Sequence, residues 1–267
     1  MNVVVPFDFS DHAKSAAHFS ALLTKHHGGR LHLVHVIVPI EEEPDYLPVE
    51  TLNAKRNTVF EIVHFQELLR RRSVTTSCDI VPGEIADQVI KAGRRTQAEM
   101  IIMGTQGNSG LRKYLYGSHT AAVIDQSPIP VLTLPEGITF KPFRKMVYAT
   151  DYNYSNLNDI KKVAAFAEKF NGIISLIHIN QHSTTHSGNT GREDFEELIR
   201  NSISYPHIIF NENEHTDTAE GLRLFLQKEN ADLLAISHRR KTLVEKICGR
   251  NGDDDYSFDL EIPLLVY

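Results

Sequence analysis

The chain is poor in cysteine, and it contains no apolar run long enough to cross a membrane. Its two cysteines, Cys78 and Cys248, form no CxxC pair. Neither a disulfide framework nor a cysteine zinc site is therefore indicated, and a reducing compartment fits. The opening Met1-Asn2-Val3-Val4-Val5-Pro6-Phe7-Asp8 lacks a basic start and reaches a carboxylate early, which makes a poor secretory leader. Positive charge is not in excess either. The net charge of -6 argues against nucleic-acid binding by a basic surface, and Arg70-Arg71-Arg72 reads as the solvated end of an amphipathic helix. A cytoplasmic protein is expected, with no DNA and no membrane among its partners.

Several chemical signatures are also missing. No Gly-Lys-Ser/Thr phosphate loop occurs, and no dinucleotide fingerprint follows the first strand. No Ser/His/Asp or Cys/His set can be located from sequence, and no pair of carboxylates stands out for acid-base work. His178, His182 and His186 are spaced by four, but Gln181 to Gly191 is rich in Ser, Thr, Gly and Asn and reads as a loop rather than a metal-binding helix. Asp253-Asp254-Asp255 lacks the spaced ligands of a calcium loop. No metal ligand and no catalytic residue is assigned.

What the chain does contain is a framework written twice. Its 267 residues, 41% hydrophobic and 23% charged, suffice for two cores. Strands are expected at Val3–Pro6, Leu31–Ile37, Thr75–Val81, Met100–Met103 and Ile129–Leu134. Helices should lie between them, the first capped by Ser10 or Asp11 and stopped by Gly28-Gly29. Near-continuous apolar strands alternating with helices indicate a mostly parallel sheet covered on both faces. Met146-Val-Tyr-Ala-Thr-Asp151 answers the first strand and Ile174–Ile179 the second, both at an offset of 143 that pairs Asp151 with Asp8 and His178 with His35. Ala231–Ser237 and Ile262–Leu265 answer the fourth and fifth strands at an offset of 133. The fold expected is α/β: two tandem open-sheet domains with mostly parallel five-stranded sheets, over 1–137 and 143–267, joined near Pro135–Pro142.

The most informative segment comes directly after the fourth strand: Gly104-Thr-Gln-Gly107-Asn-Ser-Gly-Leu-Arg-Lys-Tyr-Leu-Tyr-Gly117-Ser118. Glycines there permit positive φ and close approach to a ligand, and the amides of the next helix start point outward, so an anion is expected. In open parallel sheets ligands sit beyond the carboxyl ends of the strands, where Asp8, Val36 and Gly104 are expected.

Gly104-x-x-Gly107, nine residues, then Gly117-Ser118 resembles the nucleotide-binding signature of the universal stress protein family. Val5-Pro6-Phe7-Asp8-Phe9-Ser10, Leu33-Val34-His35-Val36 and Ile129-Pro130-Val131-Leu132 resemble that family in order and spacing. The resemblance implies an adenine nucleotide alpha hydrolase-like fold and bound ATP or ADP, with or without Mg²⁺. It implies that Asp8 meets ribose, that Val36 meets adenine, and that Gly104, Gly107, Ser109, Gly117 and Ser118 surround the phosphates. Pro6, Phe7, Met103, Asn108 and His119 complete the set. Asn108 stands where the family often has a basic residue, which implies weaker triphosphate affinity. At the same offset Ser237, Arg240, Arg250 and Asn251 replace Gly104, Gly107, Gly117 and Ser118, so the second copy is expected to be degenerate. The resemblance implies a nucleotide-regulated stress-response module and allows slow ATP hydrolysis. A nucleotide-independent scaffold is the rival reading. Intramolecular pairing of the two domains through their last strands is expected, a homodimer is compatible with it, and a protein partner is not identified.

Overall fold

A computed structural model describes residues 1–38, 49–105, 117–181, 190–247 and 260–267. These divide into two compact units, one running to Phe140 and the other from Lys141.

The first unit is β1 (Val3–Pro6), α1 (Asp11–His27), β2 (Arg30–Ile37), α2 (Val49–Arg71), β3 (Thr75–Pro82), α3 (Ile85–Arg95), β4 (Met100–Gly104), α4 (Ser118–Gln126) and β5 (Val131–Leu134). Its strands lie in the order β3-β2-β1-β4-β5. Neighbours are parallel, with Val3 beside both Leu31 and Met100, and Ile101 beside Val131. Val3, Val4, Val5, Leu31, Leu33, Ile101, Ile102 and Leu132 are almost wholly buried, as expected for strands with helices on both faces. Strand order reverses between β1 and β4, which opens a crevice at their carboxyl ends.

Local chemistry sets the helix ends that frame this crevice. Ser10 caps α1 by accepting the Ala13 N–H at 3.1 Å, and Gly28 ends the helix at φ 66°, a left-handed value that glycine adopts without strain. Ala16, Ala17, Phe19 and Leu23 form its buried stripe. Glu84 caps α3 by accepting the Asp87 N–H at 2.8 Å.

The second unit repeats the plan with β6 (Lys145–Ala149), a 3-10 turn at Tyr154–Asn156, α5 (Leu157–Glu168), β7 (Ile173–Asn180), α6 (Thr190–Ser202), β8 (Ile208–Glu214), α7 (Thr218–Glu229), β9 (Leu233–Ile236), α8 (Lys241–Ile247) and β10 (Leu264–Val266). Its strand order is β8-β7-β6-β9-β10, the same topology as the first. The repeat extends to backbone detail. Phe9 and Tyr152, related by the 143 offset, both stand at positive φ, 65° and 58°, a conformation uncommon for bulky residues. His35 Nδ1 donates to the Phe7 carbonyl at 2.7 Å, and His178 Nδ1 donates to the Thr150 carbonyl at 3.0 Å. Each ring also packs on the strained residue, with Phe9 at 5.1 Å from His35 and Tyr152 at 4.4 Å from His178. Among the described residues no helix is long and apolar enough to cross a membrane.

Candidate functional site

At the crevice between β1 and β4 the first unit holds a cavity of about 500 Å³. Its lining includes Pro6, Phe7 and Asp8 after β1, Val36 in β2, Met103 and Gly104 in β4, and Gly117, Ser118 and His119 at the start of α4. Of the remaining residues singled out by sequence, Gly107, Asn108 and Ser109 lie outside the described residues. Ser10, Ala13, Val34, Val38, Ile85 and Thr120 also line the cavity and were not found by sequence reasoning. Ile85 was the most accessible of these, because it directly follows the helix-opening Gly83-Glu84.

The cavity has an apolar side and a polar side. Val34, Val36, Val38, Ile85 and Met103 offer a surface for a flat aromatic group, while Asp8, Ser10, Ser118 and His119 supply polar atoms. Asp8 is exposed. Its Oδ1 accepts from the Ser10 N–H at 3.0 Å and from the Ser10 hydroxyl at 2.5 Å. Ser10 in turn caps α1, so the carboxylate is anchored to the start of that helix. Helix α4 begins at Gly117 with no side-chain cap, which leaves its first amides available to an anion. The Thr120 hydroxyl is used internally, donating to the Gly104 carbonyl at 3.1 Å.

The role of the glycines differs from the expectation of positive φ. Gly117 sits at φ -61°, ψ 152°, extended backbone open to any residue, and Gly104 is not among the positive-φ glycines. Gly104 is required for space. A Cβ there would stand 2.9 Å from the His12 Cβ and 3.3 Å from the His12 carbonyl carbon, so its absence lets α1 approach β4.

The second unit keeps the carboxylate. Asp151 Oδ1 accepts from the Asn153 N–H at 3.2 Å and from Asn156 Nδ2 at 2.6 Å, which makes it a turn-forming residue. Ser237 replaces Gly104 and is fully buried. Beyond it, Arg240 and α8 occupy the positions that answer the glycine loop. Leu243, Val244 and Ile247 of α8 are buried, and Lys246 Nζ reaches Asp217 Oδ2 at 2.7 Å. Asp217 caps α7 by accepting from the Ala219 and Glu220 N–H groups; the hydrogen bond from Lys246 holds its carboxyl below the usual range, with burial opposing. Since Asp217 answers Glu84 at the 133 offset, α8 bridges the two elements, strand end and helix start, that frame the cavity in the first unit. Burial pulls Arg240 below its ordinary pKa, while the nearby Asp151 charge opposes the shift. Arg250 and Asn251 lie outside the described residues. A cleft of about 770 Å³ in this unit is lined instead by Lys141, Arg223, Gln227, Asn230 and Glu261, among others. His178 belongs to β7 and His182 and His186 lie outside the described residues; among those described, no group of three His, Cys, Asp or Glu could hold a metal.

The model of the family described as "Universal stress protein family" matches residues 1–135. A universal stress protein in the QAH/OAS sulfhydrylase 3' region of Thermus aquaticus is 29% identical over 133 residues, covering 49% of this chain and 95% of the relative. The crystal structure of a universal stress protein from Archaeoglobus fulgidus DSM 4304 superposes with a TM-score of 0.70 at 16% identity, covering 99% of this chain and 95% of that one. A universal stress protein solved in complex with cAMP matches 50% of this chain and 96% of its own at 20% identity and a TM-score of 0.41. With the family model spanning half of the chain and the fold shared with a relative of similar length, this chain belongs to the universal stress protein family.

Proposed function

We propose that the first unit binds an adenine nucleotide, ATP or ADP, as a regulatory or sensing ligand in a stress response. The observation that carries this reading is the cavity at the β1–β4 crevice, where the uncapped start of α4 and the carboxylate of Asp8 face an apolar wall. The three parts of a nucleotide fit these surfaces: base against Val36, Ile85 and Met103, ribose hydroxyls donating to Asp8, and phosphates on the amides and hydroxyl at Ser118. Mg²⁺ would be brought by the phosphates themselves. No described side chain is assigned the task of activating water, so the ligand is proposed to act through occupancy rather than turnover.

Mass spectrometry of the supernatant after denaturing the purified protein should detect copurified ATP or ADP. Calorimetry on stripped protein should then show rebinding. Absence of nucleotide in the first experiment together with no heat at millimolar ATP or ADP in the second would leave the cavity without this role.

A further inference from the structure

A second cluster of reactive side chains lies in the first unit, away from the cavity. Neighbouring strands β2 and β3 place His32 beside Ser77 and Val34 beside Asp79. With side chains alternating along a strand, His32, Ser77 and Asp79 share one face. The ring of His32, only 4% exposed, has both nitrogens engaged: Nδ1 lies 2.7 Å from Ser77 Oγ and Nε2 lies 3.0 Å from Asp79 Oδ2. Arg95, near the end of α3, forms an ion pair with the same Asp79 oxygen and approaches His32 Nε2 at 3.2 Å.

The tautomer with the proton on Nε2 serves both neighbours: Nε2 donates to the carboxylate of Asp79, which only accepts, while Arg95 serves Asp79 rather than the ring. Nδ1 is then left with a lone pair that accepts the Ser77 hydroxyl proton. A hydroxyl donating to a neutral imidazole, whose far nitrogen is held by an anchored carboxylate, is the arrangement that activates serine nucleophiles. The ring nitrogens are exchanged relative to the usual protease pattern, and either imidazole nitrogen can take a proton when it holds the lone pair. Ser77 is exposed on β3, the last strand in this unit's order, so an electrophile can reach it. None of the four side chains lines the nucleotide cavity.

We propose that Ser77 is an activated nucleophile, oriented by His32 and Asp79, that accepts acyl groups from reactive esters. In the step, Ser77 Oγ forms a bond to the carbonyl carbon and its proton passes to His32 Nδ1. The bond from that carbon to the leaving oxygen breaks, and the proton then goes to the leaving alkoxide, which departs as the alcohol. Asp79 balances the transient imidazolium, and Arg95 holds Asp79 in place.

The test is labelling of the full-length chain with a dialkyl fluorophosphonate, in which Ser77 Oγ bonds to phosphorus as fluoride leaves. Intact mass and peptide mapping should show one adduct, on Ser77. Ser77→Ala should remove it, and His32→Gln and Asp79→Asn should each slow it at least about tenfold, the lower range for loss of general-base assistance. Should His32→Gln fail to fold by circular dichroism, Asp79→Asn decides, since it keeps the imidazole and alters a side chain that is partly exposed. Absence of a Ser77 adduct, or labelling at the wild-type rate in folded Asp79→Asn, would overturn the proposal and leave the cluster a polar fastening between β2, β3 and α3.

Discussion

The two oxygens of Asp8 separate an observed role from a proposed one. Oδ1 accepts both hydrogen bonds from Ser10 and so helps start α1; the other oxygen is the one proposed to meet a ribose. Substitution separates the roles. Asp8→Asn retains an oxygen for the Ser10 N–H, so its unfolding free energy should stay within about 0.5 kcal/mol of wild type, as for most surface changes. Nucleotide binding should weaken by about 1–3 kcal/mol, the scale of a hydrogen bond involving a charged group. Thermal melts and calorimetry read the two effects independently, and an Asn variant with unchanged affinity would reduce Asp8 to a turn residue. Cys78 gives a second prediction at this scale. Burial, and then the charge of Asp79, push its thiol up to about 12 from an ordinary 9.0. A raised thiol pKa leaves stability untouched below about pH 9 and lowers it as pH climbs toward about 12, because the unfolded chain ionises first. At pH 9 the native protein should therefore be alkylated at Cys78 on the order of a hundredfold more slowly than the urea-unfolded chain, measured by peptide mapping. Comparable rates would show that the thiol is not sequestered.

Element by element, the sequence was legible wherever period and capping agreed. The first strand matches its expected bounds, Ser10 caps α1, and Gly28 ends it. The equivalence of Asp8 with Asp151 and of His35 with His178 could be read from one offset because short strands tolerate no insertion. Contacts made across the sheet could not be read. The Ser77–His32–Asp79 set depends on the register of β2 against β3, and Val38 and Ile85 meet at the cavity only once the strands are ordered around β1. Helix α8 was missed for a different reason: seven residues carry too little periodicity to distinguish a turn from a helix. Of the two properties expected of the glycines, positive φ is not used at Gly104 or Gly117, while at Gly104 space is, because a Cβ there would meet His12. Valine readily adopts the φ -61°, ψ 152° of Gly117, so Gly117→Val should remain folded with a near-native circular dichroism spectrum. Its branched side chain would stand before the first amides of α4, and nucleotide affinity should fall at least tenfold, a cost of about 1.4 kcal/mol. A folded variant with undiminished affinity would place the phosphates elsewhere.

For the whole molecule, duplication without symmetry of sites is the feature that calls for explanation. Both units share strand order, the strained residue after the first strand and the histidine that braces it. They differ in sequence after the fourth strand, where Ser237 and Arg240 stand in place of Gly104 and Gly107. In the first unit an uncapped helix start and an open cavity follow that strand. In the second, α8 follows the fourth strand with Leu243, Val244 and Ile247 buried and Lys246 fastened to Asp217. Truncating Leu243 or Ile247 to alanine would cost about 2–5 kcal/mol each, so α8 is firmly held, and Ser237 and Arg240 carry side chains where the first unit has glycines. The chain should therefore bind one adenine nucleotide. Calorimetry on stripped protein should return a stoichiometry near one, and Lys246→Ala, which releases the ion pair but leaves the apolar contacts, should leave that value unchanged. Asp8→Ala should weaken binding while Asp151→Ala does not, since the second carboxylate is held by Asn153 and Asn156. Two equal sites, or equal losses in the two Asp variants, would mean that α8 gives way to ligand and that the second unit is a working copy of the first.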